Sequence, residues 1–204
     1  EGWAFYRVGA ANLADSGAVR FATMADEYRF LTVWRVPATL DEVTDVLGNV
    51  DTLPQWWPSV YLSVRRLEDG GPDWVGSVSE LHTKGWLPYT LTWDIKLLEP
   101  VTESGFAIEA IGDLKGSGRW TFEQEGPEVV ITYDWRIEAT KPLLRRMAWL
   151  LRPAFEANHK WAMARGEESL RLELRRRRAT TEEERASVPP PPGPTFGRLL
   201  RSKH

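Results

Sequence analysis

The stretch VPATLDEVTDVLGNVDTLPQWWPSV, residues 36–60, begins as a short helix and ends in two adjacent tryptophans held between prolines. Thr39 followed three residues later by Glu42 is a capping box, in which each side chain satisfies an orphan amide of the first helical turn. Val43, Val46 and Leu47 form a short apolar stripe, and Gly48 ends it. A second short helix fits VDTLPQWW, residues 50–57. Prolines mark turns, and turns lie in water. Trp56 and Trp57 would be misplaced there unless the segment closes something, with at least one indole turned inward.

What it closes follows from its flanks. Before it, EYRFLTVWRV (27–36) alternates, with Tyr28, Phe30, Thr32, Trp34 and Val36 on one face. After it come six strand-like runs separated by turn signals: SVYLSVRRLE, WVGSVSELHT, WLPYTLTWDIKLLE, FAIEAIG, GSGRWTFEQE and EVVITYDWRIEA. Tyr89, Leu91, Trp93, Ile95 and Leu97 share one face, as do Val129, Ile131, Tyr133, Trp135 and Ile137, against polar residues on the other. That is an antiparallel sheet with one wet and one buried face. GDLKGSG reads as a hairpin turn leading to Trp120.

Helix follows. Leu143, Leu144, Met147, Leu150 and Leu151 have helical spacing, and Pro153 is expected to break or kink the run at Arg152. From Pro153 to about Arg177 one stripe carries Phe155, His159, Ala162, Met163, Gly166, Leu170 and Leu174. Glu173 and Arg177 intrude on it, so the helix is expected to leave the body there. The order is one strand, two short helices, six strands and a long helix. The expected architecture is α+β: a curved antiparallel sheet of about seven strands covered by the C-terminal helix. The two short helices shut the open end between the first two strands.

The expected domains are an N-terminal extension (1–25), a folded domain (26–177) and a disordered proline-rich tail (178–204). The chain opens on Glu1, and regular patterning begins near Met24. Residues 1–23 read either as an upstream extension or as a further strand around WAFYRV. The run of four prolines in the tail favours polyproline II, and FGRLLRSKH at the end is short and basic.

The 204 residues carry a net charge of −3 and no cysteine, which excludes disulfides and thiolate chemistry. From Arg165 onward there are 10 basic and 6 acidic residues, which leaves the body at −7. An acidic body argues against nucleic acid as partner. No apolar run approaches the ~20 residues of a spanning helix, nothing at the start reads as a signal peptide, and a cytoplasmic location is expected.

Order and wording together resemble the START-like superfamily, also called SRPBCC or helix-grip, whose members include the birch-pollen-allergen-like proteins. Within it the match is to the polyketide cyclase/dehydrase and lipid-transport group. The phrases that carry the resemblance are VPATLDEVTDVLGNVDTLPQWWPSV, GDLKGSGRW and NHKWAM, over about Tyr28 to Arg177. It implies a helix-grip fold with an internal cavity. It implies no catalytic residue, because the superfamily has no universal catalytic motif.

The aromatic residues are the main functional clue, with eleven tryptophans in the chain. Trp57, Tyr89, Trp93, Trp120, Tyr133 and Trp135 lie on apparent inner faces or the closing segment, where they either line a pocket or fill a core. His159 and Met163 lie on the helix stripe facing the same space, and His159 is a candidate general base. Glu80 and His82 share a strand face with Val78. Turned inward they form a polar spot in the cavity, with Glu80 a second catalytic candidate; turned outward they are a solvated pair. His204 lies in the tail. No metal ligand set converges, and no cofactor is expected. The reading is binding or transport of a hydrophobic or aromatic small molecule, lipid or polyketide-like. One alternative is a polyketide cyclase/aromatase-type enzyme using the same cavity. The other is a protein-interaction module with a filled core.

Overall fold

The computed structural model describes residues 27–139 and 148–195. Seven strands form one antiparallel sheet: β1 Glu27–Pro37, β2 Tyr61–Glu68, β3 Val78–Lys84, β4 Thr90–Leu97, β5 Gly105–Gly112, β6 Leu114–Glu125 and β7 Glu128–Ala139. The spatial order is β1-β7-β6-β5-β4-β3-β2. Strands β1 and β2 are therefore consecutive in sequence but stand at opposite edges. The chain between them must cross the open side of the sheet. It does so as α1 (Leu40–Leu47), a 3-10 turn (Val50–Thr52) and α2 (Leu53–Trp56).

The capping box forms as read: Thr39 Oγ1 accepts from the Glu42 amide, and Glu42 accepts from the Thr39 amide at 2.9 Å. Val43, Val46 and Leu47 are buried. Trp56 and Trp57 are both buried, at 1% and 2% exposure, so neither remains in water. Along β1 the alternation holds: Trp34 and Val36 are buried, while Leu31 and Val33 face out.

The long helix, α3 (Ala148–Arg178), packs on β1, α1 and α2 through Met163, Leu170 and Leu174. Pro153 sits exposed inside it and withdraws one backbone donor. The helix nevertheless runs through, and the expected break at Arg152 does not occur. Nor does α3 leave the body at its end. Glu173 is paired with Arg176 and Arg177 at 3.0 and 2.9 Å, which turns the intruding charges on each other. Arg178 pairs with Glu42 at 2.6 Å and donates to the Pro37 carbonyl at 2.8 Å, and Arg171 donates to the Arg35 carbonyl. Two carbonyls of the β1 edge strand are thus capped by the helix, which removes acceptors a stray strand would use.

Two further expectations change. In GDLKGSG the reversal is confined to Gly112 and Asp113, and Leu114–Gly118 is already strand. The glycines serve packing: a Cβ on Gly116 would overlap the Arg136 carbonyl, and one on Gly118 would lie 2.7 Å from the Tyr133 hydroxyl. Trp74 and Val75 fall outside β3, in a loop where Asp73 and Trp74 take φ of 56° and 61° between Gly70 and Gly76. Trp74 is 60% exposed.

Where a disordered tail was expected, the described part is ordered. A capped helix, α4 (Glu182–Ser187), is followed by buried Val188. Arg176 donates to the Pro189 carbonyl at 3.0 Å, and Thr195 Oγ1 donates to the Gly85 carbonyl at 3.1 Å. The prolines therefore form a strap from the end of α3 to the turn after β3. Residues 1–26, with WAFYRV, lie outside the described residues. So do 140–147, with Leu143, Leu144 and Met147, and 196–204, with FGRLLRSKH and His204.

Candidate functional site

Between the concave face of the sheet and the α1–α2 segment lies a cavity of about 560 Å3. Its inner wall is aromatic: Trp57 beyond α2, Tyr61 at the start of β2, Trp93 on β4, Phe106 on β5, Trp120 on β6 and Tyr133 on β7. The rings touch in series. Trp120 and Tyr133 stack at 3.9 Å with planes 15° apart, and Trp34 bridges Trp120 to Trp57 at 5.5 and 5.6 Å. Trp57 meets Tyr61 edge-on at 5.2 Å. Ile95, Leu97, Val101 and Ile108 supply the aliphatic part.

The polar groups are of two kinds. Inside, Trp57 and Ser79 line the wall, and Trp57 Nε1 and Ser79 Oγ are buried and have no hydrogen-bond partner among the described residues. Trp93 Nε1, by contrast, donates to Thr83 Oγ1 at 3.0 Å. Burial pushes the Tyr61 hydroxyl up, and burial and the Tyr61 phenol push Tyr133 up as well, away from neutral pH, where both phenols are protonated and can donate. At the rim stand Asp45, Asp51, Arg66, Asp73 and Trp74. Arg66 pairs with Asp51 at 2.7 Å and lies over the Trp74 ring at 5.3 Å.

Of the residues read from the sequence, Trp57, Trp93, Trp120 and Tyr133 come together on this cavity. The others lie elsewhere. Trp135 is buried on the same face of β7 beside the lining, stacked on Tyr133 at 5.5 Å and near Trp93 at 5.8 Å. Met163 belongs to the contact of α3 with the core. Tyr89 is half-buried before β4, its hydroxyl raised to about 12 by burial and by the phenol of Tyr28.

His159 does not face the cavity. It stacks on Phe30 at 4.1 Å with Nε2 3.3 Å from Thr32 Oγ1, and burial pulls its pKa down to about 4. The first half of α3 lies against β1, so the helix stripe meets strand there rather than open space. Glu80 and His82 take the outward alternative: they alternate with buried Ser79, Leu81 and Thr83, and Glu80 receives Arg65 at 3.0 Å on the outer face. Tyr61, Phe106, Ser79 and the Arg66–Asp51–Trp74 rim were not singled out from the sequence. Tyr61 had a signal, lying four residues after Trp57 at the head of a strand. The rim had none, because it joins a strand, a helix–turn segment and a loop distant in sequence.

Among the described residues no group of three or more His, Cys, Asp or Glu side chains is placed to hold a metal, and no helix is long and apolar enough to cross a membrane.

A START-like helix-grip fold around an aromatic cavity defines the class. The chain belongs to the polyketide cyclase / dehydrase and lipid transport family, whose model matches residues 29–175. Among solved structures it is similar to the Zhui aromatase/cyclase from Streptomyces sp. R1128, with 20% identity over 76% of this chain and 97% of that one, TM-score 0.58. It is also similar to the di-domain aromatase/cyclase BexL, with 15% identity over 73% of this chain and 50% of that one, TM-score 0.55. A third is norcoclaurine synthase from Thalictrum flavum in complex with dopamine and hydroxybenzaldehyde, with 16% identity over 84% of this chain and all of that one, TM-score 0.51. At these identities the likeness is one of fold. No curated protein matches the sequence.

Proposed function

We propose that this protein binds a hydrophobic, aromatic small molecule in the cavity between the sheet and the α1–α2 segment. One observation carries the reading: a space of about 560 Å3 walled by Trp57, Trp93, Trp120 and Tyr133. Small-molecule sites are of about 300–1,000 Å3, mostly apolar, with a few placed polar groups. Burial of guest surface supplies roughly 25 cal/mol per Å2 before the losses of association. A lipid or polyketide-like guest is in keeping with the family.

A second reading, a cyclase-type enzyme, has its own support in Tyr61 and Tyr133, two protonated phenols suited to polarising a ketone. Among the described residues the carboxylates lining the cavity, Asp45, Asp51 and Asp73, all stand at its rim, and none lies inside. His159 lies against β1, and Glu80 lies on the outer face. Binding without proton transfer is therefore the preferred reading. A filled-core interaction module fits least well, since the core is not filled.

Native mass spectrometry of freshly purified protein tests this. A co-purifying apolar adduct, lost on organic extraction and restored by adding back the extract, is the expected result. His159→Gln should retain that adduct. An adduct absent from the wild-type protein and not formed on incubation with a tricyclic aromatic ketone would overturn the reading.

A further inference from the structure

The rim and the interior differ in charge. Among the described residues Arg66 is the one cation lining the cavity, and it is engaged by Asp51 at 2.7 Å and by the face of Trp74 at 5.3 Å. Asp45 and Asp73 line the same rim and have no ion-pair partner among the described residues. A guest carboxylate would have to pass these carboxylates. It would then either lie in the interior, where no described residue supplies a cation and its lost hydration goes unreplaced by an ion pair, or take Arg66 and leave Asp51 unpaired. The interior instead offers donors. Trp57 Nε1 can only donate. Ser79 Oγ, on a residue 1% exposed, carries a hydroxyl proton, and neither atom has a partner among the described residues. The phenols of Tyr61 and Tyr133, held protonated by burial, add two more donors.

Resting on the binding role argued above, we propose that the cavity selects an uncharged aromatic guest bearing carbonyl or hydroxyl oxygens and rejects carboxylates. The guest's oxygens accept from these interior donors, the Tyr61 and Tyr133 phenols foremost, and its rings lie along Trp120 and Tyr133. The acidic rim discriminates by sign against fatty acids and aromatic acids of equal size.

Three tricyclic probes of one shape separate the effects: 2-acetylanthracene, anthracene-2-carboxylate and 2-(aminomethyl)anthracene as its ammonium form. Each is titrated at low salt, near neutral pH, by quenching of indole emission. The ketone is expected to bind at least about tenfold tighter than the carboxylate. The ammonium, as strongly hydrated as the carboxylate but opposite in sign, is expected to bind several-fold tighter than the carboxylate. In Asp45→Asn/Asp73→Asn the gap between carboxylate and ammonium should narrow several-fold. Ser79→Ala should weaken the ketone several-fold. Carboxylate binding equal to either other probe, or a gap unmoved by the rim variant, overturns the selectivity and leaves the binding role standing. Binding of none of the three removes the binding role and the selectivity together.

Discussion

The indole of Trp57 lies directly against the backbone of Gly166 in α3, with no space for a Cβ between them. This contact joins the closing segment to the helix, and the same indole forms part of the cavity wall. Alanine at 166 favours helix by roughly 0.5–1 kcal/mol. Overlap with a ring that is itself packed on Trp34 and Trp56 costs more, about 1–3 kcal/mol. Gly166→Ala should therefore lower the urea midpoint. Gly193→Ala, where a Cβ meets nothing, should leave stability within about 0.5 kcal/mol. Equal midpoints for both variants would show that Trp57 has room to move.

Glu42 ties α1 to the end of α3. Its pKa is held down to about 2, chiefly by the Arg178 hydrogen bonds and also by the Thr39 amide. A depressed folded pKa gives stability that is fully present above the ordinary value of 4.5 and is lost as pH falls through about 2. Both side chains are about a third exposed or more, so solvent screening reduces the contribution to about 1 kcal/mol. Glu42→Gln should cost that much near neutral pH, and the two proteins should converge at the acid end. A constant difference across the acid range, followed by chemical denaturation, would contradict the linkage.

His159 acts in the same direction, over a higher pH window, although here it is the charged form that the fold disfavours. Its folded pKa of about 4 lies below the ordinary 6.5 because the ring is buried against Phe30. The unfolded chain binds the proton first, so stability is full above 6.5 and falls as pH drops toward 4, where it levels off. The loss is about 3 kcal/mol. His159→Gln should flatten the profile in that window, and an unchanged profile would show that another group carries it.

The fold was legible because its signals are local. The capping box at Thr39 and Glu42, the alternation along β1, β4 and β7, and the stripe on α3 each follow from a period within one element. The site was legible only in part. Trp93, Trp120 and Tyr133 announce an inner face by alternation, but which inner residues meet a void and which meet α3 depends on where the helix lies. The placement of the helix removes His159 from the cavity, and Trp135, on the same face as Tyr133, falls outside its lining. The face of β3 is ambiguous in the sequence because WVGSVSELHT reads as one strand beginning at Trp74. Two residues with positive φ put Trp74 and Val75 in a loop, and the buried set became Ser79, Leu81 and Thr83. The strap of prolines was hidden because its anchors, Arg176, Gly85 and Val188, are scattered along the chain.

Ile108 projects from β5 into the cavity and allows the most direct test of the account. Ile108→Trp fills the space from within without touching the rim. Calorimetric titration with 2-acetylanthracene should give one site on the wild-type protein and at least about a tenfold weaker one on the variant. The variant should also melt within a few degrees of the parent, since the added ring enters room that already exists. Unchanged affinity in the filled variant would place the guest elsewhere, and the central claim would fail.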